Sequence, residues 1–532
     1  MTILYVATSK NRLKAIEVDN KTGEFVRLVQ DIDPIVQHAL TTGEEETNNR
    51  GDVSRGNDTS TKNVEHDVAG SGFLESYSGF GAATTEWIER HPTFDTLLYV
   101  FTSFSNRTSA VVTTYRILGV DNQSIDSLKT NRGRLKKLGS VQTKGLHASH
   151  VTFSPDHYSF VPNDNVSDND HGNATHKKPP STMCVGHYMD GNISFFDCSR
   201  DAALGEPIRV VTLPEVRPET RDTTFPNPLP SIHHLTYNPR PTTINVNNHR
   251  KKDNDDDNDI DDELCKYLLV SDTSKQGRVW TFAVDSIGLP ISNKPVSFRK
   301  VTFITAPSGW LTRILTGGWV AGLADYRIRR CVVHPHGRYV YMLFEFNTVI
   351  QVYEINPFTG RISGDCLQEI PTIDPEYFGW KKTTGAAINT AAELYATATE
   401  VFVSNRGFKL SNLWGGSAES SVRVFSIEDN GAKLVPKQSL ECEGPVRHFL
   451  PECHRLCSEM AGTSSENHFS SSPATLFVGS GIGQRRVNAN VNCNASVETF
   501  VRRDPEAVGG TFERVGTIDV GMDDITCIAM IE

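Results

Sequence analysis

Glu345 stands in an apolar run, YVYMLFEF from Tyr339 to Phe346, that otherwise reads as a buried strand. Two arginines, Arg329 and Arg330, lie shortly before it. A carboxylate at such a point is costly unless it is paired. A guanidinium suits it, because its planar fork binds carboxylates bidentately and stays charged. Where such a group borders a cavity, it can hold an acidic small molecule and stabilise negative charge developing on it. Three other residues occupy comparable places: His147 and His150 in LHASHVTFSP, and Arg447 in GPVRHF. Each of these has a plainer reading. A histidine such as those of IHHL is often a hydrogen-bonded structural residue, Arg330 reads as the partner of an acid on a neighbouring sheet, and Arg406 after Asn405 fits an ordinary turn.

The elements that must position these groups repeat along the chain. An apolar strand ends in polar residues, a short connection follows, and a second strand ends in Asp, Glu or Asn. The pattern occurs seven times, beginning at Ile3, Leu97, Met183, Tyr267, the run around Glu345, Glu400 and Leu476. A shorter strand precedes most copies: TEWIERHP, HVTFSP, IHHLTYNP, RRCVVHP, AAELYA and VRHFLPE. The first copy lacks one, and the closing DITCIAMIE supplies it from the other end. An open sheet edge is a liability that a closed ring removes. The expectation is an all-β fold: one seven-bladed β-propeller of four-stranded antiparallel blades over residues 1–532, with residues 525–532 completing the N-terminal blade. The repeat exceeds the usual ~40–50 residues of a propeller blade. Polar segments at 41–70, 160–182, 241–263 and 458–473 account for the excess and read as surface insertions poor in burial-competent residues. The acidic run DNDDDNDIDD lacks the glycine and spaced glutamate of a calcium loop and reads as solvated linker.

Composition narrows the function. The chain has 532 residues, 38% hydrophobic and 22% charged, with a net charge of −11, which suits a soluble globular protein and argues against a nucleic-acid surface. No window approaches the ~20 apolar residues of a membrane span, and the N-terminus lacks the pattern of a signal peptide. The expected location is cytoplasmic. Ten cysteines without CxxC pairs indicate neither a zinc site nor a disulfide framework. No cofactor or metal is signalled.

IHHLTYNP, RRCVVHPHGRYVYMLFE, EVFVSNRG and the terminal GPVRHFLPE…LFVGS…VETFVRRDPEAVGG resemble the lactonase-type seven-bladed propellers, a family holding bacterial 6-phosphogluconolactonases and fungal carboxy-cis,cis-muconate cyclases. Within it, IHHLTYNP…KYLLVSDTSKQGRVWTF and the closing GMDDITCIAMIE look closest to the cyclase branch. The resemblance places the family's functional residues on His233, Arg329, Glu345 and Arg406. The sequence departs from the family at His234, at Arg330 and in the insertion 241–263. It also implies that these four residues, drawn from neighbouring blades, converge at one mouth of the central channel, with His147, His150 and Arg447 as further channel residues.

That implied site fits cyclisation of 3-carboxy-cis,cis-muconate to a carboxymuconolactone. Arg329 and Arg406 would hold the polycarboxylate and stabilise the enolate-like charge, and His233 or Glu345 would deliver the proton to carbon. The same residues suit a lactone hydrolase of the 6-phosphogluconolactonase type, with His233 or Glu345 activating water. A non-catalytic propeller scaffold is the third reading; a WD-type scaffold is disfavoured, since the blades lack Gly-His and Trp-Asp signatures. In either enzyme the partner is a small anion, a polycarboxylate or a sugar-phosphate lactone, and not a nucleic acid or a membrane.

Overall fold

The structure is a computed structural model, and it describes residues 2–19, 25–34, 83–104, 109–119, 132–155, 181–214, 230–238, 266–274, 277–300, 327–373, 387–409, 419–452, 474–481, 494–503, 510–521 and 524–531. Strands β1 to β28 form seven four-stranded antiparallel sheets. From its innermost strand outward, the first is β28 (Ile525–Ile531), β1 (Thr2–Thr8), β2 (Leu13–Val18) and β3 (Phe25–Ile32). The second, in the same direction, is β4 (Ala83–Arg90), β5 (Leu97–Phe104), β6 (Val111–Ile117) and β7 (Leu135–Gln142). The third is β8 (Ala148–Phe153), β9 (Thr182–His187), β10 (Asn192–Asp197) and β11 (Arg209–Thr212). The fourth is β12 (Ile232–Tyr237), β13 (Lys266–Asp272), β14 (Arg278–Val284) and β15 (Ser297–Lys300). The fifth is β16 (Ile328–Val333), β17 (Tyr339–Phe344), β18 (Val349–Ile355) and β19 (Ile362–Pro371). The sixth is β20 (Ala387–Ala396), β21 (Glu400–Lys409), β22 (Ser421–Glu428) and β23 (Lys433–Glu441). The seventh is β24 (Val446–Glu452), β25 (Thr475–Ser480), β26 (Ala495–Arg502) and β27 (Phe512–Gly521).

The innermost strands touch in a closed circle, β4, β8, β12, β16, β20, β24, β28 and back to β4. This is the expected seven-bladed propeller. Its closure is also as expected: β28 pairs with β1 from Ile3↔Ile531 to Ala7↔Cys527. Second strands are sandwiched between neighbouring blades on both faces, so β1, β5, β9 and β25 are buried almost end to end. That is why they read as continuous apolar runs and not as alternations. Outer strands are far more exposed: β3 is buried only at Ile32, and β27 mixes exposed with buried positions. Close blade contact also demands small residues: a Cβ on Gly186 of β9 would lie 2.6 Å from Ile232 Cγ2 of the next blade.

Two sequence boundaries shift. Strand β17 ends at Phe344, so Glu345 is the first residue past it and not a member of the strand. Thr182 opens β9 and so does not belong to the insertion expected at 160–182. The remainder of that insertion up to residue 180, and those at 41–70, 241–263 and 458–473, lie outside the described residues.

Candidate active site

A repeated backbone irregularity builds the site. Every innermost strand carries a register shift, near its start in all but β20, where it is central: between Thr85 and Trp87, Ala148 and His150, Ile232 and His234, Ile328 and Arg330, Ala391 and Leu394, and Val446 and His448, and where Thr8 and Ala7 meet Ile525 and Cys527. A bulge puts an extra residue into the strand and re-aims its side chain. The bulged residues are Glu86, Ser149, His233, Arg329, Ala392, Arg447 and Thr526, one per blade. Three of them satisfy carbonyls on the neighbouring strand. Ser149 Oγ donates to Ile232 O (2.6 Å), Thr526 Oγ1 to Thr85 O (2.6 Å) and Arg329 Nε to Ala392 O (2.9 Å). The charged members are turned toward the channel mouth.

At that mouth Glu345 Oε1 receives Arg329 Nη1 at 3.0 Å and Arg406 Nη2 at 2.5 Å. Arg329 comes from the bulge of β16 and Arg406 from β21 of the next blade. Side-chain exposure is 8% for Arg329, 13% for Glu345 and 15% for Arg406, so solvent screens this cluster little. Burial alone would raise the Glu345 carboxyl; Arg329, Arg406 and Arg327 outweigh it and hold it below its ordinary value. Glu345 is therefore an ionised anchor for two guanidinium groups and a poor proton donor. His233 lies within reach of the same fields. Burial, then Arg329, Arg330 and Arg406, push its pKa well below 6.5, which leaves a neutral imidazole at physiological pH. Its ring meets the Tyr188 ring edge-on with centroids 5.9 Å apart.

Glu86 completes the opposite side. Its carboxylate takes His147 Nε2 at 3.3 Å and Arg447 Nη2 at 3.4 Å. His147 has a positive φ of 65° and meets the Tyr188 ring at a steep tilt, with centroids 6.2 Å apart. Of the residues expected from sequence, His233, Arg329, Glu345, Arg406, His147 and Arg447 thus gather at one end. His150 does not. It sits one level deeper, with the other residues that follow the bulges: Trp87, His234, Arg330, Glu393, His448 and Cys527.

These seven pack into a waist across the channel. Arg330 pairs with Glu393, and its guanidinium lies over the Trp87 ring, 5.1 Å from the centroid. Ring centroids are 4.9 Å apart for Trp87 and His150, 4.1 Å for His150 and His234, and 5.2 Å for Trp87 and His448. The histidines share one task. His150 Nδ1 accepts Leu235 N–H (3.3 Å), His234 Nδ1 accepts Cys331 N–H (3.4 Å) and His448 Nδ1 accepts Ile528 N–H (3.3 Å), each from the next blade. Burial and Arg330 hold all three below their ordinary pKa. Arg330 is thus structural, as the sequence suggested. Among the described residues, no three His, Cys, Asp or Glu side chains are grouped to hold a metal.

Sequence reasoning overlooked Glu86. The missing signal is a count. In four blades the bulged residue stands six positions before a proline, as Glu86 to Pro92, Ser149 to Pro155, His233 to Pro239 and Arg329 to Pro335. Superposing the short strands on those prolines would have placed Glu86 beside His233 and Arg329.

The neutrality of His233 is measurable. Its imidazole carbon resonance, assigned by difference with His233→Gln, is expected to stay in the neutral position from pH ~8 down to ~6. Arg329→Met should move the midpoint upward but not fully to the ordinary value, since burial, the larger cause, persists. A midpoint near 6.5 in the unaltered protein would show that neither burial nor the arginine fields act on the ring.

Comparison with known proteins follows the same lines. No curated protein matches the chain. Solved structures share the whole ring. The periplasmic gluconolactonase PpgL of Pseudomonas aeruginosa is 14% identical, with 100% of this chain and 99% of that chain covered and a TM-score of 0.55. A protein of Lactobacillus plantarum is 14% identical, with 100% of both chains covered and a TM-score of 0.54. A candidate 6-phosphogluconolactonase of Bacteroides fragilis is 13% identical, covering 100% of this chain and 98% of that chain with a TM-score of 0.52. Identities this low speak to the fold. Residues 328–451, which carry Arg329, Glu345, Arg406 and Arg447, match the family described as Lactonase, 7-bladed beta-propeller.

Proposed function

We propose that the protein is a lactone hydrolase acting on small anionic sugar lactones of the 6-phosphogluconolactone class at the Glu345 mouth. The observation that carries this reading is the pair of guanidinium groups fixed on Glu345 beside a neutral His233. A guanidinium has five N–H donors, so binding Glu345 does not exhaust Arg329 or Arg406. Their positive charge suits the oxyanion that forms when water adds to the lactone carbonyl. His233, with a free lone pair at neutral pH, takes the proton of that water and returns it to the ring oxygen as the C–O bond breaks. The products are a hydroxyl and a carboxylate. Arg447, across the mouth, suits the phosphate. The lactonase-type match of the clamp segment supports hydrolysis over cyclisation.

Cyclisation of a carboxymuconate is the second reading, and one observation favours it. It needs a proton delivered to carbon, and the Glu86–His147 pair stands opposite the clamp as a carboxylate-oriented donor that hydrolysis does not require. Parallel assays separate the two. Acid release from 6-phosphogluconolactone, corrected for spontaneous hydrolysis, is expected with kcat of about 10–10³ s⁻¹, with no loss of diene absorbance from 3-carboxy-cis,cis-muconate. Diene loss alone would make the protein a cyclase, and activity on neither would leave the scaffold reading.

A further inference from the structure

The waist divides the channel, and the end away from Glu345 is hollow. A cavity of about 430 Å³ opens there, within the range of small-molecule sites. Its floor is Trp87, His150, His234, Glu393 and His448. Its wall is formed two residues further along the same strands by Glu89, Thr152, Thr236, Val332, Tyr395 and Leu450.

Two features of the floor point to a ligand. His150 and His234 are 8% and 7% exposed. Each accepts a backbone N–H at Nδ1, so each carries its proton on Nε2. Neither Nε2–H has a hydrogen-bond partner among the described residues, and both rings line the cavity. Two donors that open side by side onto the cavity, on rings otherwise buried, are matched by one oxygen acceptor. The charges decide its kind. Glu393 is neutralised by Arg330. Glu89 takes the Trp87 indole N–H at 3.0 Å, and burial lifts its carboxyl to about 7, with Glu393 and Arg330 acting in opposite senses. A floor with one matched ion pair and no spare cation disfavours an anion, in contrast to the guanidinium-rich mouth. Phe153, Leu235, Leu394, Tyr395, Phe449 and Leu450 surround the space with apolar surface.

We propose that this cavity is a second binding site, for an uncharged small molecule with an aromatic or aliphatic body and a single hydroxyl. The hydroxyl oxygen accepts from His150 and His234, and its own proton faces a carboxyl of the cavity, Glu89 or Glu393. The two ends of one channel then sort ligands by charge, whatever reaction the mouth performs.

The test uses the full chain and phenol as probe, followed by saturation-transfer NMR and tryptophan fluorescence, with benzoate as the charged counterpart. Phenol is expected to bind the unaltered protein and Arg406→Met alike, in the ~0.1–10 mM range usual for so small a ligand. Leu450→Trp, which fills the cavity from its rim, and His150→Leu should each weaken it at least about tenfold. Leu450→Trp keeps the test open should loss of the Nδ1 bond to Leu235 unfold the histidine variant. Benzoate should not compete with phenol. The proposal fails if phenol does not bind, if it binds Leu450→Trp undiminished, if Arg406→Met abolishes its binding, or if benzoate displaces it.

Discussion

Arg406→Met lowers kcat/KM for the lactone by about 10²–10³-fold and leaves the melting temperature nearly unchanged, the loss seen when one preorganised oxyanion donor is removed. The asymmetry follows from the clamp. Glu345 keeps Arg329 at 3.0 Å when Arg406 is gone, so no carboxylate is stranded. Arg329 is the less clean probe. It also holds the Ala392 carbonyl of the bulged neighbouring strand, and its removal leaves that acceptor unmet at a cost of ~1–3 kcal/mol. Arg329→Met should therefore lose both turnover and stability, and Arg406→Met turnover alone. Steady-state kinetics beside a thermal melt distinguishes them. If Arg406→Met turns over normally, the mouth is not where the chemistry happens.

Glu393→Leu should be the most destabilising single change at the channel. It leaves Arg330, 2% exposed, charged and without its carboxylate among Trp87 and three neutral histidines. Removing one partner of a buried pair costs ~3–5 kcal/mol, a fall in Tm of about 3–5 °C for a chain of this length. The double variant Arg330→Met/Glu393→Leu should recover most of that, because replacing a buried pair with apolar residues is often neutral. A single variant as stable as the parent would mean that the waist is wetter than its burial implies. Turnover of the double variant also reports on His233, since Arg330 is among the cations that hold it neutral.

How much of this could be read from the chain depends on what each residue needed. The ring was legible because second strands, buried on both faces, leave unbroken apolar runs such as ILYVAT and LLYVFTS at regular intervals. Closure was legible because the first copy lacked an inner strand and the last residues supplied one. Glu345 was conspicuous as a charge at the end of an apolar run, and its two partners could be named through family resemblance. Glu86 was not conspicuous. In TEWIERHP a glutamate next to tryptophan looks like the polar half of an alternating strand, and only the bulge turns it inward. The equivalent bulge in β8 separates His147 from His150. Three positions apart in sequence, they end on different levels of the channel because Ser149 takes the extra place between them. Neutral histidines as backbone acceptors were also hidden, since each relies on a partner from the next blade more than 75 residues away.

A crystal structure with 6-phosphogluconate, the ring-opened product, would decide whether the clamp is the seat of the chemistry. The sugar acid is expected at the Glu345 mouth, its carboxylate on Arg329 and Arg406 and His233 beside the carboxylate carbon, with the cavity beyond the waist empty of it. Product seated in that far cavity, or on the outer face of a blade with the clamp untouched, would contradict the assignment.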